Sequence, residues 1–326
     1  DAVTVRSCPA FWTGVNCNKI CQKKRSEMGM IMKKYVSIDI GGTAIKYGLI
    51  DAGGTILYRL EQPTEAHLGG PSILEKAIRI ADQFCQEQTV SGICISTAGM
   101  VDTRQGMIVH ANELIPHYTG IRLKETLENQ FRIPCEAEND VNCAGLAEYL
   151  TGAGKGCDPM LMLTIGTGIG GCMVTGGKVF HGVSYSACEV GYMRLRGSDF
   201  QTLGSAGSLC KKIAQRKQEP AEDWNGLRIF QEAQRGDTDC IQAIDEMVDV
   251  LGLGIANLCY VLNPQTVVLG GGIMAQEDYL KDKLQKAVCA YLIDRVAAHV
   301  TIAFAKHKND AGMLGAFYHF QSCHPA

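Results

Sequence analysis

The chain has 326 residues, a net charge of −3 at neutral pH and 46% hydrophobic residues, which is typical of a soluble globular protein of two domains. The slightly acidic balance argues against nucleic acid or an anionic membrane as the main partner. No apolar run is long enough to cross a bilayer, so we expect no membrane-spanning helix.

The first 31 residues differ from the rest of the chain. They are polar and lack the apolar core and cleavage pattern of a secretory signal, so we expect residues 1–31 to be a disordered leader or extension. A zinc-binding leader is the alternative, since Cys8, Cys17 and Cys21 lie there. It is the weaker interpretation because no histidine is nearby.

The chain contains 15 cysteines, and most of those beyond the leader lie in apolar patterns. Free cysteine behaves there as a small core residue, and Cys94, Cys135, Cys172 and Cys259 fit that description. With no secretion signal and no disulfide-like spacing, we expect a reducing cytoplasm.

The first structured segment is a strand, a glycine turn and a second strand. Glycine lacks a Cβ, so its backbone adopts positive φ and its N–H groups approach phosphate oxygens closely, while Thr43 adds a hydroxyl donor. An ordinary hairpin turn is the alternative for any single turn of this kind. The pattern predicts strands at 35–40, 44–50 and 56–60, with turns at 41–42 and 51–54.

Helices and strands alternate in the next segment. Ligands of open α/β sheets bind outside the carboxyl ends of strands, and Asp39, Asp102 and Asp140 all lie at such ends. The pattern predicts helices at 72–87, 123–131 and 142–150, and strands at 92–96, 107–109 and 133–137.

A second glycine turn, at 166–171, repeats the first. It follows an apolar strand at 160–165 and leads into strands at 172–174 and 178–181, so the self-similarity predicts a duplicated unit with a nucleotide between the two turns. A dinucleotide fold fits poorly because a strand, not a helix, follows the first turn. A Walker loop is excluded because no Gly-Lys-Ser/Thr follows either turn.

The C-terminal third begins with a long apolar stripe, from Ile241 to Leu262, which predicts a helix with one core-facing side. A strand at 266–269 then enters a third glycine turn at 270–272, followed by a strand at 300–303 and a helix at 311–320. We predict a small lobe at 32–138, a large lobe at 139–309, and packing of the last segment, 310–326, on the small lobe.

Five short motifs follow one another along the chain: Asp39–Thr43, Glu138–Asn142, Gly166–Gly171, Cys188–Tyr192 and Gly270–Ile273. In this order and spacing they resemble the ROK family (repressor, open reading frame, kinase) of sugar kinases, over the chain from Met32 onward. The resemblance implies an α/β, actin-like (ribonuclease H-like) fold duplicated in two lobes, ATP with Mg²⁺ as cofactors, a sugar substrate and a homodimer.

Asp140 matches the catalytic aspartate of the family. A sugar hydroxyl has a pKa far above neutrality, so its attack on a γ-phosphate benefits from a carboxylate that accepts the proton. The alternative is that Asp140 caps the following helix, a position that aspartate favours.

The resemblance implies further roles at matching positions. Asn112 is either a sugar ligand or a turn asparagine, and we weigh the two equally. Asp39 would orient hydrated Mg²⁺. The remaining assignments are sugar binding by Asn139, Glu189 and Tyr192, phosphate binding by Gly41, Gly42, Thr43, Thr167, Gly168 and Gly170, and adenosine binding by Gly271 and Gly272.

The chain departs from the family at the position of a zinc-binding histidine, where it has Tyr192. The downstream zinc motif is also replaced, by 200–208, so we expect no zinc. This form resembles the branch with β-glucoside kinases and N-acetylmannosamine kinases, which favours phosphorylation of the 6-hydroxyl of a hexose or β-glucoside. Glucokinase is a further alternative. The loops at 116–119 and 183–186 would shape the pocket, with His117 and Tyr118 either stacking on the sugar or lying on the surface.

A sugar-sensing regulator is the second class of function. Repressors of the family carry a helix-turn-helix ahead of the core, but the residues before the core here show no paired helical pattern and no basic recognition helix. A catalytically inert sugar-binding protein is the third class, and the intact Asp140 argues against it.

Overall fold

Two five-stranded sheets are the frame of this computed structural model, which describes residues 33–325. The predictions for residues 1–31 lie outside the described residues. The first sheet and a small strand pair beside it comprise β1 (Lys34–Ile40), β2 (Ala44–Asp51), β3 (Ile56–Pro63), β4 (Gly92–Thr97), β5 (Met100–Asp102), β6 (Met107–His110) and β7 (Cys135–Asn139).

The second sheet also has a small strand pair, on a connection between its strands. The strands of this part are β8 (Met160–Ile165), β9 (Ile169–Thr175), β10 (Lys178–Val179), β11 (Arg194–Leu195), β12 (Ser198–Asp199), β13 (Thr266–Gly270) and β14 (Thr301–Phe304). The small pair consists of β11 and β12.

The two sheets have the same topology. The orders are β3-β2-β1-β4-β7 and β10-β9-β8-β13-β14, so each sheet is an antiparallel meander of three strands followed by two parallel strands. The duplication that the two glycine turns predict is therefore present in the backbone.

Helices connect the strands, and most of them pack their apolar faces against the sheets. The long helix Thr238–Leu262 begins at a capped end, where the side chain of Asp237 accepts from the N–H of Cys240. The helices are α1 (Gly70–Glu87), α2 (Leu123–Phe131), α3 (Asp140–Thr151), α4 (Phe200–Gly204), α5 (Ala206–Lys217), α6 (Gly226–Gln234), α7 (Thr238–Leu262), α8 (Glu277–Tyr291), α9 (Asp294–Ala297) and α10 (Ala311–Cys323).

A shared core connects the two sheets through α3 and α10. Tyr35 from β1, Met162 from β8 and Phe317 from α10 belong to one buried cluster. Helix α10 lies against β1, β4 and β7 and also against α3. Helix α10 therefore touches elements on both sides of the predicted lobe boundary at 138. The lobe boundaries at 138 and 309 stay a prediction.

Several element boundaries differ from the prediction. Helix α3 begins at Asp140 and not at Asn142, because the side chain of Asn139 already caps it. Asp102 ends β5 in the small antiparallel pair and not a strand of the main sheet, and it accepts from the N–H groups of Arg104 and Gln105 in a turn. Helices α4, α5, α6, α8 and α9 have no counterpart in the sequence prediction.

The cysteines behave as the apolar pattern predicts. Cys94, Cys135, Cys172 and Cys259 are buried free thiols. Among residues 33–325, no helix combines the length and the apolar character that a membrane crossing needs.

Candidate active site

A cavity of about 330 Å³ opens where the carboxyl ends of β4 and β7 meet the turn after β8. This position follows the rule that ligands of parallel sheets bind beyond the carboxyl ends of their strands. Nine of the predicted site residues line it: Asn112, Asn139, Asp140, Thr167, Gly168, Gly170, Glu189, Tyr192 and Gly271.

Asn139 and Asp140 stand at the junction between β7 and α3. Asn139 Oδ1 accepts from the N–H of Val141 at 2.9 Å and of Asn142 at 3.0 Å. Asn139 is therefore the N-cap, and the alternative that Asp140 caps this helix is wrong. Asp140 is the first helical residue, where a negative charge is stabilised by the helix dipole, and its Oδ1 accepts from Val141 N–H at 2.9 Å.

The amide of Asn139 is fully engaged inside the protein. Its Nδ2 donates to the carbonyl of Gly99 at 2.9 Å and to Asp140 Oδ1 at 3.0 Å, and its Oδ1 accepts two backbone N–H groups. An amide has two donor positions and two acceptor positions, so all four are used. Asn139 therefore orients the Asp140 carboxylate, and its predicted sugar contact would need one of these bonds to exchange.

A second carboxylate approaches Asp140 from β1. Ser96 on the neighbouring strand β4 donates to Asp39 Oδ1 at 2.6 Å. Burial raises the pKa of Asp39, while Ser96 and Lys46 oppose that rise. Burial, and then the charge of Asp39, raise the pKa of Asp140 to about 7.

Helix α10 starts directly on the Asp39 carboxylate. A Cβ on Gly312 would overlap that carboxylate, so only glycine allows this close approach. The hydroxyl of Ser37 on β1 donates to the carbonyl of Met313 at 2.8 Å and fixes the same turn of α10. The position of Asp39 is therefore set from two sides, by Ser96 and by the first turn of α10.

The sugar-side residues come from both halves. Glu189 lies in the loop that follows β10. Burial raises the pKa of its carboxyl, and the charge of His110 opposes this rise. Tyr192 closes the short 3-10 helix Val190–Tyr192 and is 55% exposed at the rim. Asn112 fits both of its predicted roles, since it lines the cavity and its Oδ1 also accepts from Leu114 N–H at 3.1 Å.

The two glycine turns have different surroundings. The turn at 166–171 lines the cavity, and Gly166 N–H donates to the carbonyl of Gly168 at 2.9 Å. The turn at Gly41–Thr43 does not line it; Gly42 is exposed, and the turn is attached to Thr64. The structure thus places only one of the two predicted phosphate turns at this cavity.

A second cavity, of about 320 Å³, lies behind the third glycine turn. Gly271 lines both cavities, while Gly272 lines the second one. The remaining lining residues are Leu269, Gly270, Met274, Ala275, Glu277, Phe304, Ala305, Lys308 and Asn309.

The loop at 116–119 differs from the prediction. Tyr118 is neither on the sugar cavity nor on the surface, because it is 1% exposed and hydrogen bonded to Thr97 in the core. His117 does not line the site cavity but a neighbouring one, which shares Asn112 with it. A sugar-stacking role for Tyr118 is therefore wrong.

Four residues at or beside the site have no role in the sequence prediction. Ser96 and Gln201 belong to no motif that the sequence analysis identified. Gln201 reaches the cavity from α4, a helix that was not predicted. Glu138 and His181 form a hydrogen bond of 2.6 Å. A sequence signal for Glu138 existed: a charged residue in a buried strand requires a partner.

The comparisons with known proteins identify a family and relatives that cover most of the chain. The model of the ROK family matches residues 35–322. An uncharacterized protein of Clostridium perfringens is 47% identical and covers 89% of this chain and 98% of its own length. A β-glucoside kinase of Listeria monocytogenes is 32% identical over 88% of this chain and 97% of its own.

A solved structure extends the agreement to the backbone. The ROK family glucokinase of Streptomyces griseus, in complex with glucose and AMPPNP, superposes with a TM-score of 0.76 at 25% identity, over 87% of this chain and 97% of its own. The predicted α/β, actin-like fold in two lobes is confirmed by this match. The chain belongs to the ROK family.

Proposed function

We propose that this protein transfers the γ-phosphate of ATP to the 6-hydroxyl of a hexose or β-glucoside, with Asp140 as the general base. Membership of the ROK family, with relatives named as sugar kinases, makes the chain an ATP-dependent carbohydrate kinase. The observation that carries the mechanism is the Asp140 carboxylate, held at a helix start inside a cavity lined by Glu189 and the second glycine turn.

The protonation behaviour of Asp140 suits a general base. A base is most effective when its pKa lies near the working pH, and the pKa of Asp140 is raised to about 7. The hydrogen bonds from Asn139 and Val141 both reach Oδ1, which leaves Oδ2 to accept the sugar proton. The carboxylate then removes the proton as the bond to phosphorus forms.

The pair Asp39 and Asp140 fits a hydrated magnesium ion. Hard oxygen ligands suit Mg²⁺, and the mutual repulsion that raises the Asp140 pKa is relieved by a divalent cation nearby. When bound with ATP, the ion neutralises charge on the transferring phosphate. Asp39, fixed by Ser96, would hold it through water.

The nucleotide would lie across both cavities. Thr167, Gly168 and Gly170 would face the phosphates, with adenosine in the second cavity beside Gly271 and Gly272. The turn at Gly41–Thr43 would reach the phosphates when the lobes close over both substrates, a step that also excludes water.

The sugar would lie between Glu189, Asn112 and Asp140. The likeness to a β-glucoside kinase favours a β-glucoside, and the half-exposed Tyr192 at the rim leaves space for its aglycone. Glucose is the second candidate, supported by the match to a glucokinase in complex with glucose. We also propose that the protein forms a homodimer, and light scattering of the purified protein would test this.

The test is ADP release with ATP and Mg²⁺ across a panel of hexoses, β-glucosides and N-acetylmannosamine. We expect turnover with at least one sugar and its loss in Asp140→Asn. Binding of a sugar without any turnover would favour an inert sensor instead. Stoichiometric zinc in the purified protein would contradict the zinc-free interpretation of Tyr192.

A further inference from the structure

Glu138 is a buried carboxylate directly before the catalytic pair. Its side chain is 0% exposed, and a buried charge is tolerated only when hydrogen bonds and opposite charges compensate it. Its Oε1 accepts from Asn139 N–H at 2.7 Å and from Asn142 Nδ2 at 3.0 Å. This oxygen therefore fixes the first turn of α3, which carries Asp140.

The other oxygen reaches the second half of the protein. His181, just beyond β10, donates from Nε2 to Glu138 Oε2 at 2.6 Å, and His319 Nδ1 of α10 lies 3.7 Å from the same oxygen. Burial would raise the pKa of Glu138, but the hydrogen bond with His181 is the largest cause that holds it below its usual value. The same bond raises the pKa of His181, whereas burial lowers the pKa of His319, so His181 is the principal partner of this oxygen.

His181 begins the loop that ends at Glu189. Two residues of this loop, Tyr185 at φ 59 and Cys188 at φ 64, have left-handed backbone conformations that non-glycine residues rarely adopt. Such conformations persist where the surroundings over-determine them. The carbonyl of His181 accepts from Ala187 N–H at 3.2 Å, so an anchored His181 supports the strained part of the loop.

We propose that Glu138 is a positioning residue for phosphoryl transfer, which joins the turn bearing Asp140 to the loop bearing Glu189. One carboxylate orients the base through Oε1 and the sugar-binding loop through Oε2. The inference rests on the proposed function, since both ends of the link are assigned there.

Glu138→Gln tests the link with little change in volume. The amide oxygen can still accept from Asn139 and Asn142, but the amide nitrogen that replaces Oε2 cannot accept the hydrogen bond that His181 donates. We expect the KM for sugar to rise about tenfold and kcat to fall about tenfold, with the KM for ATP within about twofold of wild type.

Glu136→Gln is the matched control. Glu136 lies two residues earlier on the same face of β7, is 4% exposed, and pairs with Lys124 at 2.7 Å and His324 at 2.8 Å, away from the cavity residues. We expect Glu136→Gln to lower stability while both KM values and kcat stay within about twofold of wild type. Equal kinetic losses in both variants would show a merely structural role and overturn the inference.

His181→Gln keeps the inference testable if Glu138→Gln does not fold, since His181 lies on a partly exposed loop. We expect its sugar KM to rise without a change in the KM for ATP, and the Glu138→Gln/His181→Gln double variant to lose less than the sum of the single variants. Additive losses would overturn the link. An inactive wild type would overturn the proposed function itself, whereas an active wild type with a normal Glu138→Gln overturns only this inference.

Discussion

Each of the two glycine turns joins a pair of antiparallel strands, but the surroundings of the two turns differ. The turn at 41–43 is attached to Thr64 and lies away from the cavity, whereas the turn at 166–171 lines it. The halves also differ in what they contribute: the first sheet carries Asp39 and Asp140, and the second carries Thr167 and Glu189. The duplicated backbone therefore places two neighbouring carboxylates in the first half, whereas the glycine turn that lines the cavity belongs to the second.

We expect the largest effect from Asp140→Asn, which removes the proposed base from the first half of the protein. General-base catalysis contributes about 10²- to 10⁴-fold, so we expect turnover to fall by that factor while ATP binding is retained, because the substitution leaves Asp39 and the glycine turns in place. Steady-state ADP release and calorimetric ATP binding would measure the two effects. Near-normal turnover would remove Asp140 from the mechanism.

The same variant should stabilise the protein at neutral and alkaline pH. Because the folded pKa of Asp140 is raised from 3.8 to about 7, ionisation costs stability as pH rises through this window, at most about 4 kcal/mol above it. The neutral amide of Asp140→Asn avoids that cost. Urea unfolding should show the variant gaining stability at about pH 8, with the gain shrinking towards pH 4; a gain independent of pH would contradict the raised pKa.

Alanine at one glycine in each turn compares the two environments directly. A Cβ on Gly170 would lie 2.6 Å from Val141 Cγ2 and 3.0 Å from Thr164 Oγ1, whereas nothing lies within 4 Å of a Cβ on Gly42. We expect Gly170→Ala to lose about 1–3 kcal/mol of unfolding free energy and Gly42→Ala to lose less than about 1 kcal/mol. Equal losses would mean that the two turns are equally packed.

The smallest expected effect is a shift of the midpoint of the pH–rate profile in Asp39→Asn. The base must be ionised, so kcat/KM should rise with pH through about 7 in the wild type. Removing the Asp39 charge lowers the Asp140 pKa, so the midpoint should move to lower pH although activity is also reduced through magnesium. A pH–rate profile measures the midpoint separately from the height, and an unmoved midpoint would show that the two carboxylates are not coupled.

The local elements were largely predictable. Strand–turn periodicity placed both hairpins within a few residues, and Asp140 was identified from its motif. The prediction failed at Phe200–Lys217, now α4 and α5, because Gly204, Ser205 and Gly207 interrupt the apolar period there. It also failed at Tyr118, since a tyrosine in a loop gives no sign that its ring enters the core.

The sequence by itself determined the duplicated plan, the family and the candidate for the base, because strand periods, glycine turns and short motifs are local properties of the chain. Only the tertiary structure decided which glycine turn faces the cavity, that Asn139 caps α3 and orients Asp140, and that Glu138 pairs with His181. Those contacts depend on how distant segments pack, and a charge buried between them acquires its role from partners that sequence spacing does not reveal.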